Sequence, residues 1–255
     1  MGYTIMQQSA TAPTIEQLKR AFGGVPGFTA FDAGNFCKET FGIIARNFTE
    51  PQATAVQAGL KTEGIDTAII DDKQLPPIPV IKVIRKLECT PEALMIFDPY
   101  GRKFPVAWGH VALLAAGNVK QATFERKRTE HEEVRIRMRG FVPVQERTVK
   151  VEYTSKENTA KLLRAEIVLS GGVAQYSIEA EGFNFETLGE RVTQDKEVNF
   201  CGLMRQLVKY APQAGLNRGA TAVLAEPPQF TVYPGKNSLQ DEIQWLLWLQ
   251  RGEAK

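Results

Sequence analysis

The chain has 255 residues, 43% hydrophobic and 24% charged, which is enough apolar material for one large core or two modest ones. Its 31 basic and 29 acidic side chains give a formal net charge of +2, without the large basic excess of a dedicated nucleic-acid-binding protein. The three cysteines lie far apart, with no CxxC motif and no nearby histidine, so we expect isolated thiols rather than a metal centre or a disulfide framework: Cys37, Cys89 and Cys201.

The first 13 residues, MGYTIMQQSATAP, lack the basic start and long apolar core of a secretory signal. Met6 stands where an N-myristoylation motif has Ser or Thr, and we interpret residues 1–13 as a flexible tail. The most apolar run, FPVAWGHVALLAAG at residues 104–117, is shorter than the roughly 20 residues of a membrane-spanning helix. The sequence therefore predicts a cytoplasmic protein without a membrane segment.

Residues 14–73 have the pattern of a small α/β domain. Thr14 and Gln17 have the spacing of a capping box at the start of the helix TIEQLKRAF. A second helix follows Thr49, with Pro51 in its first turn and Gly64 after its end. Its apolar face is predicted to be Ala53, Val56 and Leu60. Strands are expected at residues 43–47 and in DTAII.

This order of helices and strands resembles the C-terminal domain of the bacterial ribosomal stalk protein over about 55 residues. The chain lacks the lysine-rich helix of that domain, so the resemblance implies a fold and not the factor-binding role. Ferredoxin-like and ACT-like halves have much the same pattern.

A proline-rich segment, residues 74–80, is predicted to be the linker between two domains, because Pro76, Pro77 and Pro79 favour an extended, semi-rigid backbone. Residues 81–255 then change to the two-residue period of strands. One hairpin is expected around the turn DPYG, and a second around the Gly-Gly pair of LSGGVAQYS. Further strands are predicted in VIKVIRKLEC, HVALLAAGNV, VRIRMRG, TVKVEYT, RAEIVLS and QFTVYP.

Two helices interrupt or close this region, NFCGLMRQLVKYAP and the C-terminal NSLQDEIQWLLWLQRG. A run of short strands closed by one amphipathic helix resembles a pleckstrin-homology-like barrel, and VAWGHVALLAAG, GFNFETLGERV and IQWLLWL resemble a family of uncharacterised bacterial proteins. The resemblance implies an α+β protein. Its small N-terminal α/β module would precede a mostly antiparallel β-barrel with a C-terminal capping helix.

The chain's two histidines are His110 and His131. His110 could be a general base in an apolar pocket, but we interpret it as a strand or turn histidine beside a packing anchor, Trp108. His131 lies in the charge run RKRTEHEEVR. Because no phosphate-binding loop, GxSxG or HExxH motif occurs, we expect no catalytic residue, no cofactor and no metal site, and hence no enzyme.

Two sets of residues are binding candidates. Arg135, Arg137 and Arg139 alternate along a predicted strand, where three guanidiniums on one face could hold phosphates or an acidic surface. Interleaved glutamates also fit a solvated edge strand that is protected by charge. Trp245 and Trp248 are three apart on the last helix and would be core residues or flank a docking surface.

The sequence thus favours a non-enzymatic binding or scaffold protein that recognises a protein partner, with self-association as a further option. Binding of nucleic acid or an anionic surface through the local Arg/Lys patch is the alternative.

Overall fold

The computed structural model describes residues 2–23, 25, 41–139 and 142–253, and within them all side chains except those of residues 122–158 and 253. Two compact units are present. The larger unit, which we call the body, comprises Met1–Val119 and Leu162–Lys255, and the smaller one is Lys120–Lys161. The fold class is α+β, as predicted, because helices and sheets share the body.

The N-terminal part of the body contains the first sheet. Three strands form it in the order β2–β1–β3, each pair antiparallel, with α1 and α2 packed on one face. The elements are β1 (Tyr3–Gln7), α1 (Ile15–Gly23), β2 (Ile43–Phe48), α2 (Glu50–Thr62) and β3 (Thr67–Asp71). Helix α1 begins with the predicted capping box of Thr14 and Gln17, and α2 begins after the predicted N-cap Thr49, which forms a second capping box with Gln52.

The central strand of this sheet lies in residues 1–13, the segment predicted to be a flexible tail. The backbone of β1 pairs with a strand on each side, and its polar side chains are buried with partners. The hydroxyl of Thr4 donates to Asp72 (2.6 Å), and the side-chain oxygen of Gln7 accepts from the backbone N–H of Gly42 (2.7 Å). That interpretation is corrected for residues 3–7, because distant partners make burial of these polar groups favourable.

The second sheet has the order β11–β8–β9–β10–β4, and β12 also pairs with β8. Its strands are β4 (Ile81–Ile84), β8 (Val111–Arg139), β9 (Val142–Leu169), β10 (Gln175–Glu179), β11 (Gly215–Leu216) and β12 (Val232–Tyr233). A third, antiparallel sheet consists of β5 (Leu87–Cys89), β6 (Leu94–Phe97) and β7 (Lys103–Val106). Both predicted hairpins are confirmed, β6–β7 and β9–β10.

No closed barrel is present in the described ranges, where all three sheets are open. The second sheet is also mixed, because β4 runs parallel to β10, and β11 and β12 run parallel to β8. The described strands therefore do not form the mostly antiparallel barrel that the sequence predicts. The pattern of a single sequence indicates where strands lie and which residues share a face. Closure of a barrel depends instead on the pairing of strands that are far apart in the chain.

Helices α3 (Lys196–Tyr210) and α4 (Arg218–Leu224) cover one face of the second sheet. The last helix, α5 (Lys236–Glu253), covers the other face, where Leu239 and Ile243 pack with residues of β8 and β9. Its remaining apolar side packs on the first sheet, with Trp245 in a cluster around Met6 and Ile43. Instead of capping a barrel, α5 is thus the layer between two sheets.

This position of α5 joins the two domains that the sequence predicts. The described residues of 14–73, 81–119 and 162–253 share one compact body, and segment 74–80 belongs to the same body. Its carbonyl at Pro76 accepts a hydrogen bond of 2.7 Å from Gln244 of α5. Within the described ranges, no helix has the length and apolar character needed to cross a membrane.

Candidate functional site

Two clefts lie on either side of Arg251, near the C-terminal end of α5. The first, which we call the proline cleft, has a volume of about 450 Å³. Its walls are Pro76 and Pro77, the turn Ser170–Gly172, and Leu247, Gln250 and Arg251 of α5. The second, the tryptophan cleft, has about 390 Å³ and is lined by Ile70, Gln74, Trp248, Arg251 and Gly252. Both volumes fall in the range of small-ligand and side-chain pockets.

Hydrogen bonds from two glutamines of α5 fix the backbone of two residues that line the proline cleft, Pro76 and Ala112. The Gln244 side chain donates to the carbonyl of Pro76 (2.7 Å), and the Gln250 side chain donates to the carbonyl of Ala112 (3.1 Å). Because Pro76 and Pro77 also restrict their own backbone, this wall loses little conformational entropy when a ligand binds. The cleft is therefore largely preformed.

The opposite wall is a tight turn that requires glycine. Gly171 and Gly172 have φ of +72° and +68°, a region that other residues rarely adopt. A Cβ on Gly172 would lie 3.2 Å from the carbonyl oxygen of Pro77, so the absence of a side chain lets the two walls approach. The Ser170 hydroxyl fixes the turn by donating to the carbonyl of His110 (3.2 Å).

Arg251 separates the clefts and is exposed. Among the residues that the structure describes, no carboxylate forms an ion pair with its guanidinium, whereas Arg20, Arg46 and Arg218 each have one. It is also the only charged residue among those described as lining either cleft. An unpaired guanidinium between two largely apolar pockets is suited to a carboxylate that carries or adjoins apolar groups.

The two predicted tryptophans have different places. Trp248 is half-buried and lines the tryptophan cleft, so it remains available to a ligand. Trp245 is only 2% exposed and packs edge-on against Phe41, with ring centroids 5.2 Å apart. Of the two alternatives for Trp245, a core residue or a flank of a docking surface, the structure shows the core residue, packed on the chain's own first sheet.

The predicted arginine face cannot be placed at the level of side chains. Arg135, Arg137 and Arg139 belong to β8, but their side chains, like that of His131, lie outside the described residues. His110 ends a single 3-10 turn, Trp108–His110, and is exposed rather than set in an apolar pocket. Trp108 is the packing anchor expected, since it stacks on Tyr210 with ring centroids 5.1 Å apart.

Two buried polar networks lie on the side of α5 that faces the second sheet. Glu242 accepts hydrogen bonds from the Tyr233 hydroxyl (2.8 Å) and from Arg218 (3.1 Å), and Asn217 donates to the same hydroxyl (2.9 Å). Burial and the nearby Glu242 carboxylate raise the pKa of Tyr233. Glu242, Tyr233 and Asn217 are buried and Arg218 joins them from the surface, and their mutual hydrogen bonds are the arrangement of a structural network rather than a reactive site.

The second network centres on Glu166, which is 1% exposed. Its carboxylate accepts from the Ser177 hydroxyl (2.8 Å) and the Gln175 amide (3.0 Å), and that amide also donates to Gln240 of α5 (3.1 Å). Burial raises the pKa of Glu166, and the hydrogen bonds and the charges of Arg164 and Lys236 offset only part of this shift. The group is a buried acid without an opening to either cleft in the residues described as lining them.

The described thiols and carboxylates do not form a reactive or metal-binding group. Burial raises the pKa of Cys89 to about 11 and also raises that of Cys201, so both thiols stay protonated near neutral pH. Among the described residues, no three His, Cys, Asp or Glu stand close enough together to hold a metal ion. Cys37 lies outside these residues.

Most of the site is not predicted from the sequence. The local pattern assigns Pro76 and Pro77 to a linker, the Gly171–Gly172 pair to a hairpin and Arg251 to the end of the last helix, without bringing them together. One signal in the sequence could have indicated the site. Apolar residues occupy two sides of α5, which indicates that a different element packs on each side and that the end of the helix lies between them.

No protein-family model matches the chain, and comparisons with curated proteins and with solved structures find no match either. The similarities to the stalk-protein domain and to the pleckstrin-homology-like family therefore stay predictions.

Proposed function

We propose that the protein is a non-enzymatic binding protein that recognises a protein partner through the two clefts beside Arg251. The observation that carries the proposal is the guanidinium of Arg251, which has no ion pair among the described residues, next to the half-buried indole of Trp248. Tryptophan and arginine are the residue types most enriched among the energetic hot spots of protein interfaces. The preformed walls of the proline cleft lower the entropic cost of binding there.

The lining of the clefts defines the chemistry of the partner. A guanidinium binds a carboxylate through two parallel hydrogen bonds, so the partner contributes an acidic residue at Arg251. Leu247 and the two prolines offer an apolar surface to a neighbouring side chain, and Trp248 offers a second one. We therefore expect an exposed segment in which an aspartate or glutamate is flanked by bulky apolar residues.

The same lining favours binding over catalysis. Arginine stays protonated at physiological pH and neither accepts nor releases a proton in general acid–base catalysis. The other described lining residues are apolar, amide or hydroxyl groups, which orient a ligand through hydrogen bonds and contact area.

The proposal is tested by selecting peptides from a random phage-displayed library on the full-length protein. We expect the enriched sequences to contain an acidic residue next to a large apolar one. The synthetic consensus peptide, labelled with fluorescein, is then titrated with the protein by fluorescence anisotropy. Trp248→Ala and Arg251→Glu should each weaken binding by about tenfold or more, as expected for interface hot spots.

Arg205→Glu is the matched control, because Arg205 is an exposed arginine of α3 in the same body. It makes the same charge reversal away from the clefts and should leave the affinity within about twofold. Equal losses for Arg205→Glu and Arg251→Glu would show that only net charge matters. Enriched peptides that bind Trp248→Ala and Arg251→Glu as tightly as the unmodified protein would overturn the proposal.

The same peptide and variants also test whether the protein self-associates through these clefts. A dimer that separates on addition of the consensus peptide, or in Arg251→Glu, would identify the partner as a second copy of the chain. Size-exclusion chromatography with light scattering measures this directly.

A further inference from the structure

The second sheet ends at β4, whose backbone pairs with a strand on one side only. It runs parallel to β10, with Ile81 opposite Gln175 and Ile84 opposite Ile178. Among the described elements, no other strand pairs with β4, which stands last in the order of the sheet. Alternate residues of β4 therefore direct their backbone N–H and C=O groups away from β10, on a side that we call the β4 edge. An unpaired edge of this kind is a template for a further strand.

Apolar side chains along this edge are exposed. Ile78, Val80 and Val83 lie within six residues of the chain and are 37%, 83% and 51% exposed. Proteins commonly protect an edge strand with charged side chains, and Lys82 is the only charged residue within β4. Since the valines before and after Lys82 remain exposed, the β4 edge keeps apolar surface that a bound strand could cover.

The charge of this part of the chain is entirely positive. Residues 73–87 contain four basic residues and no acidic one. Lys86 forms an ion pair with Glu186, whereas Lys82 and Arg85 are exposed and have no ion pair among the described residues. A second copy of the chain would bring the same cations to the same edge, and like charges on paired strands are destabilising. An acidic strand is therefore the favoured neighbour.

We propose that the β4 edge binds an extended acidic segment of a partner protein, which joins the second sheet as one more strand. Backbone hydrogen bonds to Ile81–Ile84 supply affinity, and the side chains of the edge supply specificity. The segment alternates an acidic residue, opposite Lys82, with a β-branched or aromatic residue beside Val83. Residues 78–86 are not among those described as lining the clefts, so this is a second site, beyond the function proposed above.

The test starts from the Arg251→Glu protein as bait for the same random phage-displayed library, so that peptides selected through the clefts are depleted. We expect the enriched peptides to alternate acidic and β-branched or aromatic residues. Their synthetic consensus, labelled with fluorescein, is titrated with the unmodified full chain by fluorescence anisotropy. Hydrogen–deuterium exchange, read by mass spectrometry, should slow in residues 80–86 when this peptide is bound.

Methylation of the peptide backbone distinguishes strand addition from simple charge attraction. N-methyl groups on every second peptide bond remove the donors on one side of the added strand and leave those on the other side. Two peptides are made, methylated in the two alternate registers. One should lose about tenfold or more in affinity, and the other should bind within about threefold of the unmethylated peptide.

Charge reversal tests the acidic side of the proposal. Lys82→Glu should weaken binding by about fivefold or more, because it places a carboxylate opposite the acidic residue of the peptide. Lys61→Glu is the matched control, since Lys61 of α2 is also exposed and also has no ion pair among the described residues. It should leave the affinity within about twofold.

Removal of apolar surface tests the other side of the strand. Val83→Thr keeps the shape and β-branching of the side chain but makes it polar, and should weaken binding by about threefold. Val198→Thr, at a valine of α3 that is 52% exposed, is the matched control and should leave the affinity unchanged.

Four outcomes would overturn the proposal. They are a library without enriched peptides on the Arg251→Glu bait, equal affinities of the two methylated peptides, equal losses for Lys82→Glu and Lys61→Glu, and a dimer of the unmodified chain that slows exchange in residues 80–86 without peptide. The last outcome would assign the β4 edge to a second copy. Trp248→Ala should leave binding of this peptide unchanged, so the cleft proposal and the edge proposal fail independently.

Discussion

The indole nitrogen of Trp245 donates a hydrogen bond of 2.7 Å to the backbone carbonyl of Gln7, which stands 238 residues earlier in the chain. This contact fastens α5 to the central strand of the first sheet, β1. Gly42 lies directly against the indole, where a Cβ would come within 2.6 Å of the ring. The first sheet and the last helix are thus one packing unit.

Trp245→Ala should therefore destabilise the whole body and not only the end of the chain. Removal of a buried tryptophan leaves a cavity, and we expect a loss of about 3–5 kcal/mol in the free energy of unfolding. Trp245→Phe keeps most of the contact area but loses the hydrogen bond to Gln7, and should cost less. Urea unfolding measures both, and a loss below about 1 kcal/mol for Trp245→Ala would contradict this assignment.

Glu166 makes the stability depend on pH. Its raised pKa means that the folded protein keeps the proton while the unfolded chain releases it near 4.5. As the pH rises above this value, ionisation lowers the free energy of the unfolded state but not that of the folded state. The free energy of unfolding therefore falls until the pH passes the folded-state pKa of Glu166. Glu166→Gln cannot ionise and lacks this loss.

We expect the stability of Glu166→Gln relative to the unmodified protein to increase between pH 4.5 and pH 8. Melting temperatures measured at intervals over this range give the comparison. Glu190→Gln, at an exposed position, is the matched control and should show no comparable trend. A constant difference between Glu166→Gln and the unmodified protein across the range would show that ionisation of Glu166 does not change stability.

Gly172 holds the turn of the proline cleft, and Gly172→Ala should destabilise the fold and narrow the cleft. The positive φ and the short distance to Pro77 both oppose a side chain there. A loss of about 1–3 kcal/mol is expected, together with weaker binding of the consensus peptide. Gly109→Ala is the control, because a Cβ at Gly109 meets no atom within 4 Å. Thermal unfolding that ranks the two variants in the opposite order would refute this explanation.

Tyr233 joins the buried network around Glu242, and Tyr233→Phe removes one hydroxyl that both donates and accepts. Glu242 is 1% exposed and would lose a buried partner, so we expect a loss of about 1–3 kcal/mol in the free energy of unfolding. Tyr210→Phe removes a hydroxyl that has no hydrogen-bond partner among the described residues, and should change stability by less than about 0.5 kcal/mol. Equal effects would argue against the network.

Local structure was largely predictable from the sequence. The capping boxes at Thr14 and Thr49 and the hairpin turn between Asp98 and Gly101 involve residues at most a few positions apart, so short-range chemistry decides them. The buried face of α2 likewise follows from its period. The candidate site was predictable only in part, because Trp248 could be identified as a candidate whereas Arg251 had no distinguishing pattern.

The sequence by itself determined the α+β character, the ends of α1 and α2, and the turns of two hairpins. Tertiary structure alone decided that residues 3–7 form a central strand, that α5 lies between two open sheets and that Pro76, Gly172 and Arg251 meet around one cleft. The physical reason is the separation along the chain between the residues that make each contact. Caps and turns are closed by neighbours along the chain, whereas a buried Thr4 or a two-sided α5 is stable only when partners about 70 to 240 residues away supply the hydrogen bonds and the apolar surface.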